Sequence, residues 1–248
     1  MPTPTTTPTA DDFAVRIQRL RADLVDQGRR VQAMVEGAFS ALFDRNAAAA
    51  AAVSKQDDII DSTDVEIEKA CVQLLTDATK DHAALDPGAL RQVLTIAKVN
   101  NELERISDVA VDLAELTLVA SAQVAGVGTD SLPSFPQTFR IVANSVIGIL
   151  RDTTTSMQKQ DPALAKVVLQ SQHTVTAFKT AIIKEAEKQI AANRMPLDFA
   201  FTLHEVANLS EILADHCTNI AEQVIYVTTG AIVRHTEASW VEVGKGGR

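Results

Sequence analysis

The sequence predicts an all-α protein: six long helices forming two tandem three-helix-bundle repeats. Three observations predict it. Helix breakers are confined to a few places: no proline falls between Pro8 and Pro87, and neither proline nor glycine falls between Gly88 and Gly126. The breakers gather at Pro87-Gly88, from Gly126 to Pro136, at Pro162 and at Pro196. Hydrophobic residues make up 46% of the 248 residues but aromatics only 4%. Ala, Val, Leu and Ile therefore supply most of the apolar mass, which suits packed helices better than a β-sandwich. A polar stripe occurs twice, 107 residues apart: Asn101, Glu104, Asp108, Asp112, Glu115, and then Asn208, Glu211, Asp215, Asn219, Glu222. Steps of three and four place all five side chains of each copy along one helix face.

The elements follow in order. A first helix is expected over about 11–45, after a threonine- and proline-rich tail at 1–10. The second, near 48–80, carries Val53, Ile60, Ile67, Cys71 and Leu74 on one face and the acidic series Asp57, Asp61, Asp64 and Glu68 on another. The third, near 88–124, opens at Asp86-Pro87, with aspartate as N-cap and proline at the first helical position. Its apolar residues Ile96, Val99, Leu103, Ile106, Ala110 and Leu113 step 3-4-3-4-3, the seam of helices packed at a shallow angle. The polar stripe of this helix lies about 100° around from that seam. The fourth helix is expected near 136–160. The fifth, near 162–193, starts at Asp161-Pro162 and buries Val168, Val175 and Ile182. The sixth, near 197–230, follows Pro196 and carries Val206, Leu213, Cys217 and Ile220. Such lengths are unusual for an average domain but reasonable in an elongated bundle.

Helices three and six align at an offset of 107, whereas two and five align best at about 115. This predicts duplication of a three-helix unit. The first repeat is expected at 11–125, a linker at 126–135, the second repeat at 136–236 and a C-terminal tail at 237–248. The difference in offset is expected to lie in the loop near Asp81 to Leu85, eight residues shorter in the second half.

Composition narrows the function. A net charge of −9 and a pI near 5.0, without a basic stripe, argue against nucleic acid as the main ligand. Cys71 and Cys217 form no CxxC pair and read as buried small residues in a reducing compartment, not as a zinc site. The segment MPTPTTTPTA has neither a charged nor an apolar signal region, and no apolar run approaches bilayer length. A soluble, cytoplasmic protein is expected.

The acidic stripes carry the chemistry. Asp57-x3-Asp61 and Glu104-x3-Asp108 are (D/E)-x3-D pairs on consecutive helices. Run antiparallel in one bundle, those helices bring four carboxylates together, which is unfavourable unless they are protonated, solvated or metal-bound. Oxygen ligands suit hard or borderline cations such as Mg²⁺, Mn²⁺ or iron. The candidate metal ligands are Asp57, Asp61, Glu104, Asp108, Asp112, Glu211 and Asp215, with Asn101, Asn208, Asn219 and His216 as possible peripheral ones. The plain alternative is a solvated acidic face. Arg105 could neutralise part of the cluster, but its counterpart is Ile212. No histidine has a glutamate three residues before it, so the Glu-x-x-His pattern of di-iron oxidase bundles is missing. P-loop, Rossmann, GxSxG and HExxH patterns are missing too.

Leu103-Glu104-Arg105-Ile106-Ser107-Asp108 resembles the ERIGD signature of the PhoU family, bacterial regulators of phosphate uptake and phosphate signalling. Asp215-His216-Cys217-Thr218-Asn219-Ile220-Ala221-Glu222 resembles the family's D-H-x-x-N-I-A-E run, and the stretch from Tyr226 to His235 resembles its usual ending. The resemblance covers about residues 12–236. It implies two three-helix repeats, each holding a multinuclear iron or zinc cluster on paired (E/D)-x3-D motifs. It also implies a cytoplasmic, dimeric, non-enzymatic regulator. Its implied partners are the ATPase of the phosphate ABC transporter and a phosphate-sensing histidine kinase, and it would meet the membrane only through them. The chain departs from the pattern at Ser107 and Ala214, which stand where the signature has glycine, and at Glu211-Ile212-Leu213. The fifth helix also offers Gln172, Thr176 and Lys179 at the positions of Asp57, Asp61 and Asp64. A strong first cluster and a weak, water-completed or empty second one are therefore expected. A metal-dependent helical-bundle enzyme, such as a phosphate-ester hydrolase, is the alternative from another class.

Overall fold

The computed structural model describes residues 10–83, 85–124 and 135–233. Residues 126–134 of the linker expected at 126–135, the C-terminal tail, His235 and the N-terminal tail before Ala10 lie outside the described residues. Six helices account for nearly everything described: α1 (Ala10–Asp44), α2 (Ala47–Lys80), α3 (Pro87–Val124), α4 (Gln137–Lys159), α5 (Pro162–Ala191) and α6 (Leu197–Thr229). No strand occurs among the described residues. None of their helices is long and apolar enough to cross a membrane.

Local chemistry explains the helix ends. Asp161 caps α5, its Oδ1 accepting from the amides of Ala163 and Leu164 at 2.9 and 3.1 Å, with Pro162 following at N1. Asp86 does the same for α3, accepting from Ala89 at 2.8 Å. Asn46 caps α2 by accepting from Ala49 at 3.0 Å. Gly230 ends α6 at φ +78, a left-handed conformation in which a Cβ would also run into the Arg91 guanidinium.

The eight-residue difference between the repeats is not a loop, as the sequence suggested. The α2–α3 connection (81–86) is only one residue longer than the α5–α6 connection (192–196). The rest is helix: relative to their partners, α2 continues four residues further and α3 begins three residues earlier. The first repeat's hairpin is thus taller by about one turn.

Within each repeat the three helices pack on one another: α1 with α2 and α3, and α4 with α5 and α6. The repeats join through α3 against α6 and α1 against α4, which leaves α2 and α5 on the outside. The seam residues meet in one continuous core. Leu103, Ile106 and Leu113 of α3 and Leu213, Cys217 and Ile220 of α6 are all 1% exposed or less. Gly28 of α1 lets α4 come close; a Cβ there would stand 2.8 Å from the mobile Cε of Met157. At one end, Phe43, Phe135, Phe139 and Phe199 form a run of ring contacts joining α1 to the starts of α4 and α6, with the Arg140 guanidinium 4.7 Å above Phe43.

Leu213 is fully buried in the core, so Leu213→Ala is expected to cost ~2–5 kcal/mol of unfolding free energy. Urea denaturation checks this; a loss below about 1 kcal/mol would mean that the core around α6 is not packed as described.

Candidate functional site

The first-repeat site lies between α2 and α3. Asp57, Asp61 and Asp64 step 4-3 along α2 and face Glu104 and Asp108, which step by four along α3. The grouping is visible in the charges. Burial raises the pKa of Asp57, and the charges of Asp61 and Asp108 raise it further; the adjacent Ser107 hydroxyl works the other way. Glu104 is raised by burial and then by Asp108, Asp64 and Asp61, with Arg105 opposing. Asp108 is raised by burial and Asp61, and eased by Arg105 and His216. Asp57 Oδ1 is buried without a hydrogen-bond partner. No lysine or arginine of α2 eases the group; Arg105, at the exposed edge of α3, eases Glu104 and Asp108.

Asp64 belongs to the same face but is held differently. Buried Asn100 donates from Nδ2 to Asp64 Oδ1 at 2.6 Å and to its carbonyl oxygen at 2.9 Å. Asn100 was not singled out in the sequence, because it lies in the seam between Val99 and the stripe residue Asn101.

Asp112 lies beside Asp108, on the side of the group that faces α6. Eight residues beyond Glu104, it points about 80° around the helix. Its pKa is raised by burial and then by Glu115, Asp108 and Glu205 of α6, not by the carboxylates of α2. His216 and Asn219 also have other business: His216 Nδ1 lies 2.8 Å from Glu102 Oε2, and Asn219 Nδ2 donates to the same oxygen at 3.0 Å. This clasp joins α6 to α3. Burial pushes the Glu102 carboxyl up, but the bonds from His216 and Asn219 bring it below its ordinary value. Glu102 was missed because it precedes the (D/E)-x3-D pair by two positions and its partners lie more than a hundred residues away. Asn101 is exposed and Asn208 half-buried.

In the second repeat, Glu211 and Asp215 of α6 face Gln172, Thr176 and Lys179 of α5, the register read from the sequence. Lys179 Nζ is 2.6 Å from Glu211 Oε2, and the Thr176 hydroxyl donates to Glu211 Oε1 at 2.8 Å. These two bonds lower the Glu211 pKa. Gln172 Nε2 donates to Asp215 Oδ1 in a short hydrogen bond, which partly offsets the upward push of burial on Asp215.

The first-repeat donors fit a hard or borderline cation in their chemistry: clustered, partly desolvated carboxylates, one with an orphaned buried oxygen. Among the described residues no three His, Cys, Asp or Glu side chains are gathered closely enough to hold an ion as they stand. An ion would have to draw them inward. Both thiols stand apart, buried and unpaired, with burial pushing Cys71 up to about 11 and Cys217 to about 12.

A raised carboxyl binds its proton more readily in the folded chain, so its charge costs stability at neutral pH, and the cost fades as pH falls through the raised pKa. In chelator-treated protein, Asp57→Asn is expected to raise the melting temperature near pH 7 and to lose that advantage in acid. Thermal melts across pH check this; an unchanged or lower melting temperature at pH 7 would mean that Asp57 is freely solvated.

The PhoU domain family model matches residues 24–117 and again 139–224. A Pseudomonas aeruginosa protein, "Phosphate-specific transport system accessory protein PhoU homolog", is 29% identical over 231 residues, spanning 91% of this chain and 89% of that protein. A Pseudomonas putida protein of the same description is 27% identical over 227 residues, spanning 91% and 84%. The crystal structure of PhoU from Pseudomonas aeruginosa superposes with a TM-score of 0.78 at 25% identity, covering 88% of this chain and all of that one.

Proposed function

The chain belongs to the PhoU family, and from that premise we propose that it is a cytoplasmic, non-enzymatic regulator of phosphate uptake and of the response to phosphate starvation. The match of both repeats, with relatives described as phosphate-specific transport accessory proteins over nine-tenths of the chain, supports this reading. The regulator would dock on the phosphate ABC transporter's ATPase and on a phosphate-sensing histidine kinase, and so keep the response off while phosphate is plentiful. It would work as a homodimer and reach the membrane only through those partners.

The carboxylates between α2 and α3 are the observation that carries the site reading. Asp57, Asp61, Glu104 and Asp108 would hold iron or zinc, with magnesium or manganese as substitutes, as a multinuclear cluster. A bound cluster supplies positive charge to a face that otherwise repels itself, tying α2 to α3 at a fixed register. Its role would be structural. No observation favours the hydrolase alternative: His216, the histidine whose charge reaches Asp108, is engaged with Glu102.

Two results are expected. Deleting the gene should switch on a phosphate-starvation reporter in phosphate-rich cells, and the wild-type gene should restore silence. In purified protein, Glu104→Ala with Asp108→Ala should abolish bound iron or zinc, measured by elemental mass spectrometry. A reporter that stays silent in a strain without a second copy would sink the regulatory role; metal content unchanged by the double substitution would sink the site.

A further inference from the structure

The second repeat does not fit the cation that the first repeat suits. Its α6 keeps the pair Glu211 and Asp215, but α5 presents hydrogen-bond donors where α2 presents Asp57, Asp61 and Asp64. We propose that Lys179 is the built-in cation of the second repeat: its ammonium group, helped by Thr176 and Gln172, takes the place of a metal between α5 and α6. The chain then loads metal in the first repeat only, and its second repeat keeps helix register without any. The proposal rests on the reading that the first repeat binds a cation, but its test separates the two.

Three observations carry it. Both oxygens of Glu211 are engaged, Oε2 by the Lys179 ammonium at 2.6 Å and Oε1 by the Thr176 hydroxyl at 2.8 Å. Asp215 takes a hydrogen bond from the Gln172 amide through Oδ1. The Lys179 and Glu211 side chains are only 25% and 24% exposed, so the pair is screened less than a surface salt bridge. A divalent ion at Glu211 would have to displace the ammonium and then remain beside it, two positive charges repelling at close range. In the first repeat the α2 positions are all acidic and one Asp57 oxygen is buried with no partner. The two halves therefore balance the same pair of α-helical carboxylates in different ways, one open to an external cation and one closed by an internal one.

Metal content per chain after loading with iron or zinc, compared across variants, tests this. Glu211→Ala with Asp215→Ala is expected to leave metal content at the wild-type level. The conversion Gln172→Asp, Thr176→Asp, Lys179→Asp is expected to raise it above wild type. In excess chelator, Lys179→Met is expected to lower the melting temperature by several degrees while metal content of the loaded protein stays unchanged. Loss of metal in the Glu211 and Asp215 variant overturns the proposal, as does a folded conversion variant that takes up no extra metal. Should the conversion variant fail to fold, Lys179→Met decides: an unchanged melting temperature in chelator overturns the proposal. A wild-type protein without metal, beside a conversion variant that gains it, would sink the first-repeat reading and leave this one standing.

Discussion

Like charges gathered on facing helices are the constraint around which this molecule is arranged. Each repeat buries an apolar seam, and the helices that supply the seam also carry carboxylates one turn apart. Glu104 and Asp108 on α3, and Glu211 and Asp215 on α6, cannot move away from one another without rotating their helices. Rotation would pull Leu103, Ile106 and Leu113, or Leu213, Cys217 and Ile220, out of the core. The apolar seam thus fixes where the charge sits, and the opposing helix has to cope with it. In the first repeat α2 adds more negative charge, and the pKa values of Asp57, Glu104 and Asp108 are raised, by burial first and by neighbouring carboxylates next. In the second, α5 brings an ammonium, a hydroxyl and an amide, and Glu211 shifts the other way.

The join between repeats departs from symmetry too. α3 and α6 lie antiparallel, Glu102 beside His216 and Asp112 towards Glu205. An exact duplication would place two equivalent clasps along this contact. Glu102 and His216 form one; their equivalents at the offset of 107 are Leu209 and Val109, both buried and apolar. One side of the join is a hydrogen-bonded polar contact that fixes geometry, and on the other Leu209 and Val109 contribute burial. When protonated, His216 eases both Asp108 and its chain neighbour Asp215. The clasp is therefore a direct electrostatic neighbour of both halves.

How much could be read from the sequence follows from the range of each interaction. Seams such as Val53–Ile60–Ile67 and Ile96–Val99–Leu103 were legible because helical periodicity is local, and these residues are buried as expected. Asp161-Pro162 was legible because a cap involves adjacent residues. The facing of Lys179 and Glu211 was legible because duplication supplied the register: one repeat served as a template for the other. Glu102 and Asn100 had no template. Whether they point to a neighbouring helix depends on the rotational phase of two packed helices, which a single stripe does not reveal. The aromatic run through Phe43, Phe135 and Phe199 was hidden for the same reason, since its members come from distant parts of the chain. Asp112 sits towards the second repeat because steps of four drift: two of them from Glu104 turn the side chain about 80° around α3.

Duplication also explains why such divergence is tolerated. The residues that set the fold and those that set the charge balance lie on different faces of the same helices. Gln172, Thr176 and Lys179 lie on the face of α5 that meets the carboxylates, whereas Val168, Val175 and Ile182 stay buried in its seam. Substitution on one face leaves the other in place, so a repeat can exchange an external cation for an internal one without repacking its core. The exchange alters what stability depends on. A carboxylate cluster with raised pKa values costs stability once it is ionised at neutral pH, so that half would gain from a bound cation. The Lys179–Glu211 pair acts in the opposite sense: the lowered Glu211 pKa contributes stability at neutral pH that is lost as pH falls through it. The two halves thus respond to acid in opposite senses, the first losing a cost and the second losing a stabilising pair.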